Sequence, residues 1–294
     1  MVALKLFNTQ TSLLAKLIVY RRPCMSPIAQ SSLPNKLDIP LRLSALLVLF
    51  AGVSLGLFTL SSAAGIWVGA WDFRTGLGIL RMANTAAPYL FWSCLALGIA
   101  TGLFALLMAH QDRGRLIVYA GIGTAIAALG YALPESFRPP EGVNYPMIHD
   151  ITTNTDYPPQ FVDILPLRGT ESNSVVYGGA ENVTAEELAA LTKEAYPDLI
   201  PRVYDERHAD VYRRALNAVE TLGWEIVAAD FDSRRIEATD TTLWFRFKDD
   251  VVITFGTQSN SVVVNARSTS RVGVGDVGAN ANRLRAFFAL MDMP

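Results

Sequence analysis

Three consecutive runs without a charged residue constrain this 294-residue chain more than anything else in it. They lie between Arg42 and Asp72, between Arg81 and Asp112, and between Arg115 and Glu135. A helix rises about 1.5 Å per residue, so crossing about 30 Å of hydrocarbon takes about 20 apolar residues. Each run supplies that length. Within lipid the backbone has no water to bond, so an isolated apolar run must be a helix. A cleavable leader ending near Ser62-Ala63-Ala64 is another reading of the first run. Ile66, Trp67 and Val68 continue it, however, and two more runs follow, so an uncleaved anchor is expected. Pro88 is expected in the first turn of the second helix, where its missing N–H costs little. Pro134 is expected to end the third.

These spans carry little that could move a solute. Apart from His110 at an edge, no ionisable acid or base lies within them, whereas pumps and channels usually use intramembrane ionisable groups. Trp67, Trp71, Tyr89, Trp92 and Tyr131 fall near span ends, as interfacial belts do. Gly98 and Gly102 have the spacing that lets helices approach closely; packing among the three spans accounts for it more simply than dimerisation.

Charge divides the chain in two. Residues 1–133 hold 10 Lys/Arg and 3 Asp/Glu, whereas residues 134–294 hold 15 and 24. Basic residues collect on the cytoplasmic side of spans. Lys5, Lys16, Arg21, Arg22, Lys36 and Arg42 mark the N-terminal arm, and Arg113 and Arg115 mark the connection between spans two and three. Both should be cytoplasmic. Three crossings then carry residues 135–294 to the other side, the periplasm if the chain sits in the inner membrane of a bacterium with two membranes. The expected division is a cytoplasmic arm (1–42), a multi-pass transmembrane region (43–134), an irregular extended arm (135–183) and a periplasmic domain (184–294). Residues 1–24 are weakly amphipathic and precede Met25, which suits either a surface-lying helix or an upstream start. Cys24 and Cys94 fall in the arm and in a span, so the outer domain has no disulfide framework.

The outer half reads as α+β. Pro139-Pro140 and Pro158-Pro159 demand extended chain. Thr184 and Glu187 have capping-box spacing and open a helix to about Ala195. A second helix is expected over 205–222, where Val211, Tyr212, Ala215, Leu216, Val219 and Leu222 follow a 3.6 period before Gly223. Strands are expected over 224–229, 235–247, 251–256 and 261–267, with turns at 230–233, 248–250 and 257–260. A last helix spans 276–291 with a stripe of Val277, Ala281, Leu284, Phe288 and Met291. Three transmembrane helices would thus precede an antiparallel sheet of about four strands, with helices packed on one face.

The motifs exclude more than they assign. Gly273, Gly275 and Gly278 satisfy G-x-G-x-x-G, but the preceding strands look antiparallel and no strand follows the helix, so no nucleotide is expected. Asp276 more simply caps the helix. Asp230 with Asp232, and Asp249 with Asp250, resemble carboxylate pairs but fall where turns are expected. His149 and His208 alone make no zinc signature, and no other metal or cofactor set is evident. There is no G-x-S-x-G elbow, and the acidic outer half opposes nucleic-acid binding. What remains is an arginine-rich corner: Arg267, Ser268, Ser270 and Arg271 lead into the last helix, and Asn280, Arg283 and Arg285 follow Asp276 on it. Arginines and helix N-termini hold anions. Alternatively, Arg271 or Arg283 pairs internally with Asp276 or Asp250 and fixes the strand-to-helix corner.

Several separated segments resemble one family: His149-Asp150-Ile151-Thr152-Thr153-Asn154-Thr155 with Pro158-Pro159-Gln160-Phe161; Phe247-Lys248-Asp249-Asp250-Val251; and Arg267-Ser268-Thr269-Ser270-Arg271-Val272-Gly273 through Asp276, Gly278, Asn280 and Arg283. The family is domain-of-unknown-function family 1499, and the likeness spans about residues 146–291. The leading anchor resembles its membrane-anchored proteobacterial members. The resemblance implies no activity and transfers no catalytic residue.

Two expectations follow. In the first, the chain is an envelope protein whose acidic domain is a non-catalytic binding or structural module. Its partners are the lipid bilayer and an envelope protein or anionic envelope component. In the second, it is an enzyme on an anionic envelope substrate, with Arg267, Arg271 and Arg283 binding and His149 or Asp150 as acid/base. The second requires His149 to lie near the Arg271 corner.

Overall fold

The computed structural model describes residues 38–108, 110–136, 138, 142–179 and 183–293. The readings of residues 1–37, including Cys24 and Met25, and of Pro139-Pro140 fall outside these residues. Three long helices come first: α1 (Asp38–Trp67), α2 (Phe73–Leu107) and α3 (Arg113–Glu135). All three are long and apolar enough to cross a membrane. Much of their surface is large and apolar, such as Phe50 (72% exposed) and Leu107 (73%), so lipid contact suits it better than water.

Small residues set the approach of these helices. A Cβ placed on Gly52 would lie 1.9 Å from the Gly123 carbonyl oxygen, and one on Gly123 would lie 2.4 Å from that of Val48. Ala45, Ala87, Ala105, Ala120 and Ala127 are buried alongside. Gly98 faces Thr124 within the bundle, in keeping with intrachain packing. Hydroxyls bridge the helices, with Ser44 against Thr101 at 2.8 Å and Thr124 Oγ1 donating to the Cys94 carbonyl at 3.2 Å. At one end Arg42 donates to Asp112 at 2.8 Å, and His110 meets Asp38. Pro88 is not in a first turn. Helix α2 starts at Phe73, where the Asp72 carboxylate accepts from Thr75 N at 2.9 Å. A charge ends an apolar run but not a helix, so Arg74 and Arg81 simply ride on α2.

The rest of the described chain forms one antiparallel sheet and its cover. Its elements are β1 (Asp150–Thr152), α4 (Ala185–Ala195), β2 (Arg202–Tyr204), α5 (His208–Thr221), β3 (Glu225–Asp230), β4 (Arg235–Thr241), β5 (Lys248–Gln258), β6 (Ser261–Ser270) and α6 (Ala279–Met291). Strand order is β1-β6-β5-β4-β3, with β2 also paired to β6. The sheet thus has six strands. The two that sequence patterning missed, β1 and β2, are three residues long, too short to show an alternation. Helix α4 opens with the expected capping box: Glu187 N donates to Thr184 Oγ1, and Thr184 N to Glu187 Oε2.

Strand alternation divides the side chains between two faces. One face carries Ile236, Ala238, Val251, Ile253, Phe255, Val264 and Ala266, packed on Val211, Ala215 and Val219 of α5 and on Ala281, Leu284, Phe287 and Phe288 of α6. The other face is covered by the segment before α4, through Phe161 and Ile164 against Val252, with Val175 beside them. Glu237, fully buried on that face, accepts the N–H groups of Val162 and Ile164 at 2.8 Å each. The Pro-rich segment expected as an arm leaving the membrane therefore forms part of the domain.

One expected strand is shorter than its pattern. Residues 242–247 leave the sheet after Thr241, with Arg246 at φ 56°. Their alternating aromatic residues face the helix bundle. Trp244 Nε1 donates to Ser62 Oγ at 3.0 Å, Trp67 Nε1 donates to the Leu243 carbonyl at 3.0 Å, and the Phe73 and Phe247 rings meet edge-on at 5.3 Å.

Candidate functional site

Asp249 and Asp250, expected in a turn, are the second and third residues of β5. Adjacent strand residues point to opposite faces, so the pair is not a carboxylate dyad. Each instead nucleates a separate ion-pair cluster. Asp230 does show turn chemistry, accepting from Asp232 N and Ser233 N at 2.9 and 3.1 Å.

On the face covered by the Pro-rich segment, Asp250 is fully buried and faces two arginines. Arg271 donates to it through Nε and Nη2, both at distances down to 2.8–2.9 Å, and Arg168 donates through Nη1. Thr239 Oγ1 adds a bond at 2.8 Å. Arg271 Nη1 also holds the Leu167 carbonyl at 2.8 Å. Burial pushes the Arg168 guanidinium below its ordinary range, and the Asp250 charge opposes that shift. On the same face Arg267 is fully buried. It donates to both oxygens of Asp150 at 2.8 and 2.6 Å, and to the carbonyls of Pro159 and Val175 at 3.0 and 2.7 Å. Its guanidinium carbon lies 5.2 and 5.4 Å from the ring centres of Phe161 and Tyr177.

On the helix face, Arg283 of α6 donates to Asp249 at 2.6 Å and to Asp240 at 2.8 Å. Asn280 donates to the His149 carbonyl and to Ser270 Oγ, both at 2.9 Å, and accepts from Ser268 Oγ at 2.6 Å. Asp276 accepts from Gly278 N and Asn280 N at 2.8 Å each. A carboxylate thus occupies the amides at the start of α6, and its burial raises its pKa despite those bonds. Gly278 sits at φ 79°, where a Cβ would meet the Tyr145 ring at 2.5 Å. The glycines therefore let residues 145–148 cross the turn.

The structure brings the candidate residues of the sequence together as a corner and pairs every arginine with an internal carboxylate. His149 is its neighbour: Ser270 N donates to the His149 carbonyl at 3.0 Å. The His149 ring lies against the Val274 carbonyl, with Nδ1 at 3.2 Å. Asp150 has both oxygens bonded by Arg267. Sequence reading found these residues but not Arg168, the second partner of Asp250, or Asp240, the second partner of Arg283, because single charges in a loop or strand give no motif signal.

Residues 150–291 match the family model described as "Protein of unknown function (DUF1499)". This segment is a DUF1499 domain. The match runs from the first residue of β1 to the last of α6, so the family unit takes in the Pro-rich segment as well as the sheet. No curated protein matches the chain.

Beside the corner, the DUF1499 domain opens into a cavity of about 1080 Å³. Its walls are Met147, His149, Asp150 and the 173–179 segment, with Leu188, Leu191 and Val274, and Phe73 and Arg74 of α2 line it from the bundle. Of the residues singled out from sequence, His149, Asp150 and Gly273 line it, whereas Arg267, Arg271 and Arg283 do not.

Proposed function

We propose that this protein is a membrane-anchored, non-catalytic binding module. Its three helices hold the DUF1499 domain on the periplasmic side of a bacterial inner membrane, with the N-terminus cytoplasmic. It binds an envelope protein or an anionic envelope component at the cavity rather than through its arginines. The observation that carries this reading is the pairing of Arg267 with Asp150, Arg271 with Asp250 and Arg283 with Asp249. These charges fix the fold, and binding falls to the open concave surface beside them. The basic residues of the N-terminal arm and of the connection between α2 and α3 support the orientation.

The test has two parts. A reporter active only in the periplasm, fused after Pro294, is expected to be active. A photo-crosslinker placed at exposed Val274 or Val277 in cells is expected to give a discrete adduct that a position on the far side, such as Phe231, does not give. Reporter activity confined to the cytoplasm would overturn the orientation, and identical capture from both faces would overturn the binding site.

A further inference from the structure

The cavity also has a position relative to the helices that narrows what it can hold. From Arg42, about 20 residues at about 1.5 Å each reach Ser62, so Ser62 marks the far edge of a hydrocarbon layer of about 30 Å. Trp244 is hydrogen-bonded to Ser62, and Trp67 holds the preceding loop residue, Leu243. Tryptophan favours the bilayer interface, so this belt sets the headgroup level. Phe73, which lines the cavity, packs edge-on against Phe247 of the same loop. The cavity, which Phe73 lines, therefore lies at the level of the lipid headgroups.

We infer that it holds an anionic phospholipid from the leaflet around it, a conclusion that rests on the cavity being the binding site. Met147 and Val274 (each 68% exposed) and Val176 (66% exposed) stand on its walls with Leu191. Apolar side chains left this open at a membrane surface suit an alkyl chain. Arg74, over the Phe73 ring and near the Asp72 charge, is exposed and forms no ion pair among the described residues, and it lines the cavity together with His149. An arginine at the interface is suited to a phosphate. Asp150 does not repel the anion, because Arg267 balances its charge. The volume, about 1080 Å³, is slightly above the range of about 300–1,000 Å³ typical of small-molecule sites, ample for part of a lipid.

The test uses the full chain in nanodiscs of phosphatidylcholine doped with a photoactivatable phosphatidylglycerol or, in parallel, a photoactivatable phosphatidylcholine. Phosphatidylglycerol is expected to label peptides containing Met147, Val176 or Val274 as well as the spans. In the double variant Val176→Asp/Val274→Asp, cavity labelling should fall roughly tenfold, because covering an exposed carboxylate with an alkyl chain costs more than the 1.4 kcal/mol this represents. Labelling of the spans should stay unchanged. Both positions are exposed, so folding should survive, and Met147→Glu gives the same readout should it not. Arg74→Glu should remove the preference for phosphatidylglycerol. Labelling confined to the spans, undiminished cavity labelling in the variants, or equal cavity labelling by both lipids would overturn the inference. If lipid label is absent while Val274 still captures a discrete protein in cells, the lipid is overturned and the binding module stands. If both are absent, both fall.

Discussion

Asp150 and Arg267 lie on paired strands, two residues apart in register, and the buried guanidinium bonds both carboxylate oxygens. Asp150 faces Thr269 and Thr152 faces Arg267, so the pair is a diagonal on one sheet face. Through Phe161, Tyr177 and the carbonyls of Pro159 and Val175, the same arginine pins the Pro-rich segment to the sheet. Removing one member leaves a buried charge alone, which costs about 3–5 kcal/mol. Arg267→Leu and Asp150→Leu should each lower the melting temperature of the full chain in detergent, followed by near-ultraviolet circular dichroism. The double variant should lose less than the sum of the two. Strict additivity would contradict the pairing.

Arg271 and Arg283 should differ in how much they matter. Asp250 keeps Arg168 when Arg271 is lost, whereas Asp249 has Arg283 alone among the described ion pairs. Arg283→Ala is therefore expected to destabilise more than Arg271→Ala in the same melting experiment. Variants that melt like the parent but lose ligand would restore the anion-site expectation for this corner.

The contact of Gly52 with Gly123 leaves no room for a side chain. Gly52→Val should force α1 from α3 and cost about 1–3 kcal/mol or more. In a Cys24→Ser background, buried Cys94 reports on the opening of the bundle through its reaction with a maleimide. The variant should react at a lower temperature. An unchanged reaction profile would show that the helices do not meet as described.

His208 makes stability depend on pH. It sits among Tyr212, Phe231 and Phe255, and burial, helped by the Arg234 charge, lowers its pKa below 6.5. The folded state therefore binds fewer protons than the unfolded state in that window. The stability it contributes is present above the unfolded value of about 6.5 and is lost as pH falls through the folded one. Melting temperatures taken from about pH 7.5 to about pH 5 should fall less steeply in His208→Phe than in the parent. Parallel curves would refute the assignment.

Leu243 is 71% exposed although its carbonyl is held by Trp67. In a chain whose native cysteines are replaced, Leu243→Cys carrying an environment-sensitive dye should show blue-shifted emission in liposomes, quenched by a lipid with a headgroup quencher. Emission matching that of a water-exposed site would show that the loop does not reach the bilayer.

By itself, the sequence determined the features that depend on local runs and periods. The three apolar stretches exceed what a helix needs to cross hydrocarbon. Thr184 with Glu187 starts α4 through bonds made within four residues, and the 3.6 period from Val211 to Val219 marks α5. The antiparallel sheet with helices on one face followed from strand patterning, although β1 and β2 were too short to register. Tertiary structure alone decided the role of each charged group and of the aromatic loop. Asp249 and Asp250 read as a turn because acidic pairs favour turns, yet pairing with β4 and β6 made them strand and sent them to opposite faces. Residues 242–247 alternate as a strand does, but their partners are Ser62, Trp67 and Phe73 on the helices rather than another strand. Such choices are made by residues tens to more than a hundred positions away, and no local period in the chain encodes contacts of that range.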